Sequence, residues 1–379
     1  MGASFSGKLA AGTSIKGVLL CVALALVLVP AHAEHASFLD TADPPEFAAD
    51  YLVAEGAPPP AVIKVTLAGD CTLGGTESAN RQSNGLTMTV SQKGLAYPFS
   101  GLKSLFSEDD LTYVNLEGVL SDSSRGENVD KEFAFRGPAS FAGILPLGSV
   151  EAVNLSNNHF DDYGSAGREA TISALTEHGV AYAGGEWLCA FSTAGGRVGL
   201  AGIRGSLTEA KKETVRRQIA LLREAGCQVI LYAMHAGQEY AAKHNAYQRD
   251  MARFLIDAGA DVVAGHHPHV AQGVESYNGG LIFYSLGNCV FGGNHNPRET
   301  TALAARVTFY LEDGCLTRME SALYPIRFTG KASGNSFSPV LLTGAQAEAA
   351  LKAVRQDTDF LIPAYVTGEG APLPAVQVQ

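Results

Sequence analysis

Eight short apolar segments alternate with amphipathic ones between residues 61 and 286, and this alternation restricts the fold more than any other feature of the chain. The segments are IKVTLAG (63–69), LTYVNL (111–116), SVEAVNL (149–155), GVAYAGG (179–185), RVGLAGI (197–203), CQVILYAM (227–234), ADVVAG (260–265) and GGLIFYSL (279–286). Short β-branched runs that are apolar on both faces are typical of strands in sheets covered on each side. The sequence therefore predicts an α/β fold with mixed sheets covered by helices.

Helices are predicted between these strands. The clearest begins with a capping box at Ser206 and Glu209 and ends at Gly226. The other predicted elements are a helix over 165–179 with His178 as its C-terminal cap, a helix ending at Gly259, a hairpin over 305–326 turning at Asp313-Gly314, and a short helix near 345–356.

The N-terminus has the pattern of an export signal. Lys8 and Lys16 precede the apolar run GVLLCVALALVLV (17–29), and Ala31-His32-Ala33 is typical of a signal peptidase site. We expect a signal peptide cleaved near Ala33 and an extracellular or cell-envelope protein. The alternative is an uncleaved N-terminal membrane anchor, although the run is short for a span.

Composition divides the rest of the chain and limits its partners. Residues 34–60 are predicted to be a Pro/Ala-rich linker, 61–328 the main domain, and 329–379 an extension of helix and coil.

The net charge is −11, and it is two units more negative without the signal segment. This acidity argues against nucleic acid as a partner. The basic cluster is interpreted as a solvated helix face; it comprises Lys211, Lys212, Arg216, Arg217 and Arg223.

The cysteines show no disulfide framework. Five follow the signal segment, at positions 71, 189, 227, 289 and 315, without a CxxC spacing. They are interpreted as buried small hydrophobic residues, and a single pairing remains open.

Polar side chains follow six of the apolar segments at the point where each ends. They are Asp70, Glu117, Ser156 to His159, His235, His266 to His269, and Asn288. In α/β sheets, binding sites form at the carboxyl ends of the strands, so these side chains are expected to converge. Carboxylate, amide and imidazole donors together suit Mn, Fe or Zn. On an extended segment, His267 and His269 would point to one site, while His266 would point away, to support the ligands or fill space.

Six motifs in this order resemble one known family. They are AGDCTLGG, VNLEGVLSD, LSNNHFDDYG, MHAGQEY, GHHPHVAQG and YSLGNCVF. They resemble the CapA family of bacterial poly-gamma-glutamate capsule synthesis proteins, whose domain is similar to calcineurin-like metallophosphoesterases. The resemblance covers about residues 61–328. It implies a four-layer αββα sandwich with two divalent metal ions.

The resemblance also implies roles for individual residues. His159 would face substrate as a proton donor or oxyanion stabiliser. The implied metal ligands are Asp70, Glu117, Asn158, His235, His267 and His269, with Asp70 or Glu117 bridging the ions. The residues implied to contact substrate or support the ligands are Asn157, Asp162, Glu239, Tyr240, His266 and Asn288.

The chain departs from the pattern at several positions. Metallophosphoesterases usually begin with Asp-x-His, whereas Cys71 and Thr72 follow Asp70 here. Glu117 stands where a bridging Asp is usual, and Ala236 replaces a common aromatic residue, which would open the pocket. The missing histidine weakens one metal position.

Two functions are compatible with these features. The first is an exported metal-dependent hydrolase or transferase acting on poly-gamma-glutamate, another anionic envelope polymer or a phosphoester. The second is a non-catalytic subunit that binds polymer for export or assembly, together with membrane-bound capsule synthesis subunits.

Overall fold

The computed structural model describes residues 36–39 and 60–378. Its strands are β1 (Ala36–Leu39), β2 (Ala61–Thr72), β3 (Leu111–Leu116), β4 (Val119–Leu120), β5 (Arg136–Gly137), β6 (Ala152–Asn154), β7 (Ala181–Ala183), β8 (Leu188–Thr193), β9 (Gly196–Arg204), β10 (Val229–His235), β11 (Val262–His266), β12 (Val274–Tyr277), β13 (Gly280–Phe283), β14 (Asn288–Phe291), β15 (Thr301–Glu312), β16 (Cys315–Arg327), β17 (Val340–Leu341), β18 (Ala371–Pro372) and β19 (Val376–Gln377). The helices are α1 (Glu77–Asn80), α2 (Leu86–Lys93), α3 (Lys103–Phe106), α4 (Ile144–Leu147), α5 (Gly164–Glu177), α6 (Glu209–Glu224), α7 (Ala246–Asp257) and α8 (Gly344–Arg355), with a 3₁₀ turn at Ala139–Gly143.

Two large sheets face each other. One has the order β1-β8-β9-β10-β11-β13-β12, and the other follows β17-β16-β15-β2-β3-β6-β7, with β14 on β2 and β18 and β19 on β16. The central strands of both sheets, β9 to β11 with β13 and β2 with β3, β6 and β7, pair in parallel. Their carboxyl ends therefore form a common edge in each sheet.

Strand β10 shows why both faces of these strands are apolar. Its residues alternate between two cores: Leu231 and Ala233 pack between the sheets, whereas Ile230 and Tyr232 pack against α6 and α7. The other sheet is likewise covered by α2, α3 and α5 on its outer face, where Val114 lies in the core. The layers are helix, sheet, sheet and helix, which confirms the expected αββα sandwich.

Most predicted elements are present, with one error at a helix start. Helix α6 is capped by Thr208, whose side chain accepts from the Lys211 amide, and not by Ser206. Ser206 and Thr208 both carry a hydroxyl group before this helix, and the capping-box pattern favours Ser206. The hairpin β15–β16 turns at Asp313-Gly314, where both φ angles are positive, as a tight hairpin turn requires.

The segments outside 61–328 are only partly described. The predicted signal peptide, 1–33, and residues 40–59 of the predicted linker lie outside the described residues, whereas β1 pairs with β8 at a sheet edge. The predicted extension after 328 packs onto β16 and places Leu351, Val354 and Ile362 in the core between the sheets. In the described ranges, no helix is both long and apolar enough to cross a membrane.

Candidate metal centre

The polar residues at the strand ends meet where the two sheets face each other. In one sheet, Asp70 on β2 is in register with Asn115 on β3, which is in register with Asn154 on β6. In the other, His235 at the end of β10 is in register with His266 at the end of β11. The structure thus brings together side chains that are far apart in the sequence.

Glu117 lies at the middle of this cluster. It is fully buried, and neither carboxylate oxygen has a hydrogen-bond partner within residues 60–378. Three imidazole Nε2 atoms surround its Oε1: His235 at 3.7 Å, and His159 and His269 at 3.9 Å each. These separations are too long for hydrogen bonds. A buried carboxylate is costly without a partner, so the arrangement fits a cation between the donors.

The donors form two groups that share Glu117. Potential ligand atoms of Glu117, His235 and His267 lie within 4.8 Å of one another, and so do those of Asp70, Glu117 and His269. Asn158 joins the first group, since its Oδ1 lies 2.7 Å from His235 Nε2. Carboxylate, amide and imidazole donors in this arrangement fit the binding of a divalent metal, and Glu117 is common to both groups.

The charges of the donors also favour a cation. Burial and the Asp70 carboxylate raise the pKa of Glu117 to about 8. Burial opposes charge on His269, but Glu117 and Asp70 outweigh it and raise its pKa to about 10. Burial holds the pKa of His235 well below its usual value, which keeps that imidazole neutral. Glu117 and His269 thus hold protons at positions where a bound metal ion would supply positive charge.

The HHPH segment is not extended, contrary to the sequence prediction. His267 and His269 have φ angles of 97° and 59°, in the left-handed region. Both rings still reach the site, with centroids 6.2 Å apart, because the chain turns sharply. His266 does not point away either: its Nδ1 lies 3.2 Å from Asp70 Oδ1. The segment from His266 to His269 bends, so the side-chain alternation of a regular strand does not apply to it.

Four buried amides hold the ligands. Asn288 Oδ1 lies 3.0 Å from His269 Nδ1, which orients that ring. Asn115 donates to Asp70 Oδ1 at 2.8 Å and accepts from Asn154 and Asn157. Asn157 also contacts the Leu116 carbonyl and the His159 amide. Sequence reasoning missed Asn115 and Asn154, although both stand in the apolar context VNL, where an amide is unexpected.

His159 is oriented by a carboxylate and a lysine. Its Nδ1 lies 2.7 Å from Asp162 Oδ2 and 3.2 Å from Lys131 Nζ, and its Nε2 faces Glu117. Lys131 Nζ lies 2.5 Å from Asp162 Oδ1 and 2.7 Å from the Asn158 carbonyl. Phe135 stacks on the imidazole at a centroid distance of 4.3 Å. Sequence reasoning missed Lys131, which lies in a polar loop without a pattern.

The rim of the site is exposed. Glu239 and Tyr240 follow β10 at the surface, and the Tyr240 ring centroid lies 6.1 Å from that of His269. Beside them is a cavity of about 590 Å³. It is lined by Asn158, Arg204, Gly205, Ser206, Lys211, His235, Ala236, Gly237, Tyr247 and His267. Lys211, on the partly exposed face of α6, therefore also faces this cavity.

The cysteines contribute no predicted metal ligand. All five in the described residues are free thiols, and four are buried as predicted, whereas Cys315 is exposed. Cys71, which follows Asp70, packs with Cys289 in the core under the outer helices. On β2, Cys71 and Thr72 follow Asp70, so Thr72 stands at the position where the Asp-x-His pattern has a histidine.

The four-layer αββα sandwich with buried carboxylate and imidazole donors at its strand ends defines an α/β protein with a candidate metal centre. The family model of bacterial capsule synthesis protein PGA_cap matches residues 64–188 and 190–293, and the chain belongs to this family.

Individual relatives agree with this assignment. The chain is 29% identical over 249 residues to the PGA biosynthesis protein CapA of Bacillus subtilis, covering 60% of this chain and 65% of that protein. It is 27% identical over 249 residues to the capsule biosynthesis protein CapA of Bacillus anthracis, covering 59% and 60%. The matched region thus spans less than two thirds of either relative.

The crystal structure of TT1561 of Thermus thermophilus aligns with 64% of this chain and 93% of that chain, at 9% identity and a TM-score of 0.36.

Proposed function

We propose that this protein is an exported, metal-dependent hydrolase or transferase of capsule polymer biosynthesis, acting on an anionic envelope polymer such as poly-gamma-glutamate or on a phosphoester. The observation that carries the proposal is the buried, unpartnered Glu117 carboxylate between two groups of donors. Family membership supports the capsule context. The signal-like N-terminus supports export, and membrane-bound capsule synthesis subunits are the proposed partners.

Two divalent ions are proposed at this centre. Asp70, Glu117 and His269 would hold one ion, and Glu117, Asn158, His235 and His267 the other. Bound there, the ions would supply Lewis acidity that activates water and polarises a phosphoryl or acyl centre.

The chain's own residues then position substrate and protons. Asp162 accepts the Nδ1 proton of His159, so Nε2 is free to take a proton from the attacking group. Once protonated, Nε2 can return that proton to the leaving group or stabilise developing negative charge. Phe135 and the burial of His159 limit the access of water to this imidazole.

A substitution of His159 tests this proposal. The purified full chain, loaded with Mn, Fe or Zn, would be assayed on p-nitrophenyl phosphate, bis-p-nitrophenyl phosphate and gamma-glutamyl oligomers. His159→Asn should lower turnover by about 10²- to 10⁴-fold while metal content is retained. His178→Asn is the matched control, because His178 caps α5 away from the site.

The competing function is a subunit that only binds polymer. The exposed Tyr240 beside the donors favours contact with an extended ligand. If the metal-loaded wild type turned over none of these substrates but bound gamma-glutamyl polymer equally well with and without His159, the binding function would replace the enzyme.

A further inference from the structure

One cavity connects the candidate metal donors with two cationic side chains. Asn158, His235 and His267 line it together with Arg204 and Lys211. Arg204 ends β9 in register with His235 on β10, so their backbones are about 4.8 Å apart across the sheet. A ligand that reaches the donors from this cavity therefore lies beside both cations.

Positively charged side chains outnumber carboxylates in the lining of this cavity. Arg204 and Arg168 both pair with the single carboxylate of Asp161. Within residues 60–378, no carboxylate lies within ion-pair distance of Lys211, whereas its neighbour Lys212 pairs with Glu209. The lining of this cavity contains two cations, Arg204 and Lys211, and no carboxylate, although the chain has a net charge of −11. A local excess of this kind attracts anions.

Lys211 is held so that its ammonium group faces the cavity. Its Nζ donates to the Arg204 carbonyl at 2.7 Å, and this is the ammonium group's one hydrogen bond to the described part of the chain. An ammonium group has three protons, so two remain for a ligand. Partial burial and the charge of Arg204 lower the pKa of Lys211, and an anion would relieve both effects.

The two cations stand between two cavities. A second cavity, of about 330 Å³, shares Arg204 and Lys211 with the first and continues past Val215 to Gln218 and Tyr232. The two cavities therefore adjoin at Arg204 and Lys211.

We propose that Arg204 and Lys211 form a subsite that binds a second anionic group of a linear polyanion, one repeat or more away from the group at the metal donors. The inference rests on the proposed function, because it assumes a polymeric ligand. The shared chemistry is a repeated anion, which is a carboxylate in a gamma-glutamyl chain and a phosphate in a phosphodiester chain.

Calorimetric binding to the metal-loaded full chain carrying His159→Asn tests the subsite without turnover of the probe. The probes are tri-gamma-glutamate and a linear tri(glycerol phosphate), each at low and high salt. Lys211→Met should raise Kd on the order of tenfold for the probe that binds, and Lys211→Arg should restore binding. Lys212→Met is the matched control, since it removes the same charge one residue along α6, and it should change Kd less than twofold.

The two probes also identify the anion. Lys211-dependent binding of tri-gamma-glutamate supports the subsite with carboxylate as its ligand, and the same result with tri(glycerol phosphate) supports it with phosphate. Equal losses in Lys211→Met and Lys212→Met, no loss in either, or no binding of both probes to the metal-loaded parent protein would overturn the subsite. Since binding is measured and turnover is not, these outcomes are separate from a failure of the hydrolase proposal.

Discussion

Asn115 donates a 2.8 Å hydrogen bond from its side-chain amide to Asp70 Oδ1, although it stands inside the fully buried apolar strand β3. Its own Oδ1 accepts from Asn154 on the next strand and from Asn157. One amide thereby fixes a candidate metal ligand and satisfies two buried donors. Buried amides in such networks are costly to remove because each leaves other groups unpaired.

Replacement of Asn115 by leucine tests this relationship. The variant leaves the Asn154 and Asn157 donors without their shared acceptor, so the free energy of unfolding should fall by about 1–3 kcal/mol. Metal affinity should weaken about 10- to 100-fold, because Asp70 loses its support. Urea unfolding and metal titration would measure the two effects. An unchanged metal affinity would limit Asn115 to a structural role.

The shared position of Glu117 predicts unequal effects of ligand substitutions. Glu117→Gln should lose both metal ions, because both donor groups include this carboxylate. His269→Ala should lose the ion beside Asp70 and keep the other. Elemental analysis of purified protein would count the ions, with His178→Ala as a control. Loss of one ion in Glu117→Gln would contradict the bridging role.

The ion pair between Lys131 and Asp162 can be tested by a double-mutant cycle on the free energy of unfolding. Asp162 is buried, so Lys131→Met leaves its charge without a cation, whereas 28% of the Lys131 side chain is exposed and water can partly replace it. We expect a loss of about 1–3 kcal/mol, below the range for fully buried pairs. The double variant with Asp162→Asn should recover part of this loss in denaturant unfolding. Additive losses would show that the two side chains are not coupled.

A buried acid at the opposite edge of the sheet predicts a pH dependence. Burial raises the pKa of Glu151 to about 7, although its carboxylate accepts from the Thr112 amide at 2.7 Å. Because the folded pKa is above the unfolded value, this group's contribution to stability is full below pH 4.5 and is lost as the pH rises through 7. The loss should be on the order of 3 kcal/mol.

Glu151→Gln isolates this contribution, since glutamine can still accept from Thr112. Relative to this variant, the wild type should lose stability between about pH 4.5 and 8 in unfolding titrations. Glu213→Gln, on the exposed face of α6, should leave the pH profile unchanged. A parallel course of wild type and Glu151→Gln would contradict the shifted pKa.

The sheet strands and the convergence of polar residues could be predicted from the sequence because both depend on local patterns. An apolar run such as VILYAMH in β10 determines its own two-sided burial, and a polar residue at its end follows from chain order. Arg204 directly follows the apolar segment 197–203, so the same pattern could have found it. Lys131 and Lys211 could not be assigned in this way, because each stands in a polar stretch where an exposed cation is ordinary.

The backbone of the HHPH segment was the main error, for a related reason. Its direction depends on contacts from other elements: His267 N–H donates to Asp70 Oδ2 at 3.3 Å, and the Pro268 carbonyl accepts from Tyr240 N–H at 2.8 Å. These partners are 197 and 28 positions away in the chain, so no local pattern of residues 264–273 indicates the bend.

The left-handed backbone at His267 and His269 has a consequence for metal exchange. Left-handed φ angles at two non-glycine residues are unfavourable, and here the hydrogen bonds to Asp70 and Tyr240 hold them in place. The loop therefore has little conformational entropy left to lose when an ion enters. Ion exchange should then be governed by diffusion through the cavity and by release of protons from the donors, without slow refolding of the loop.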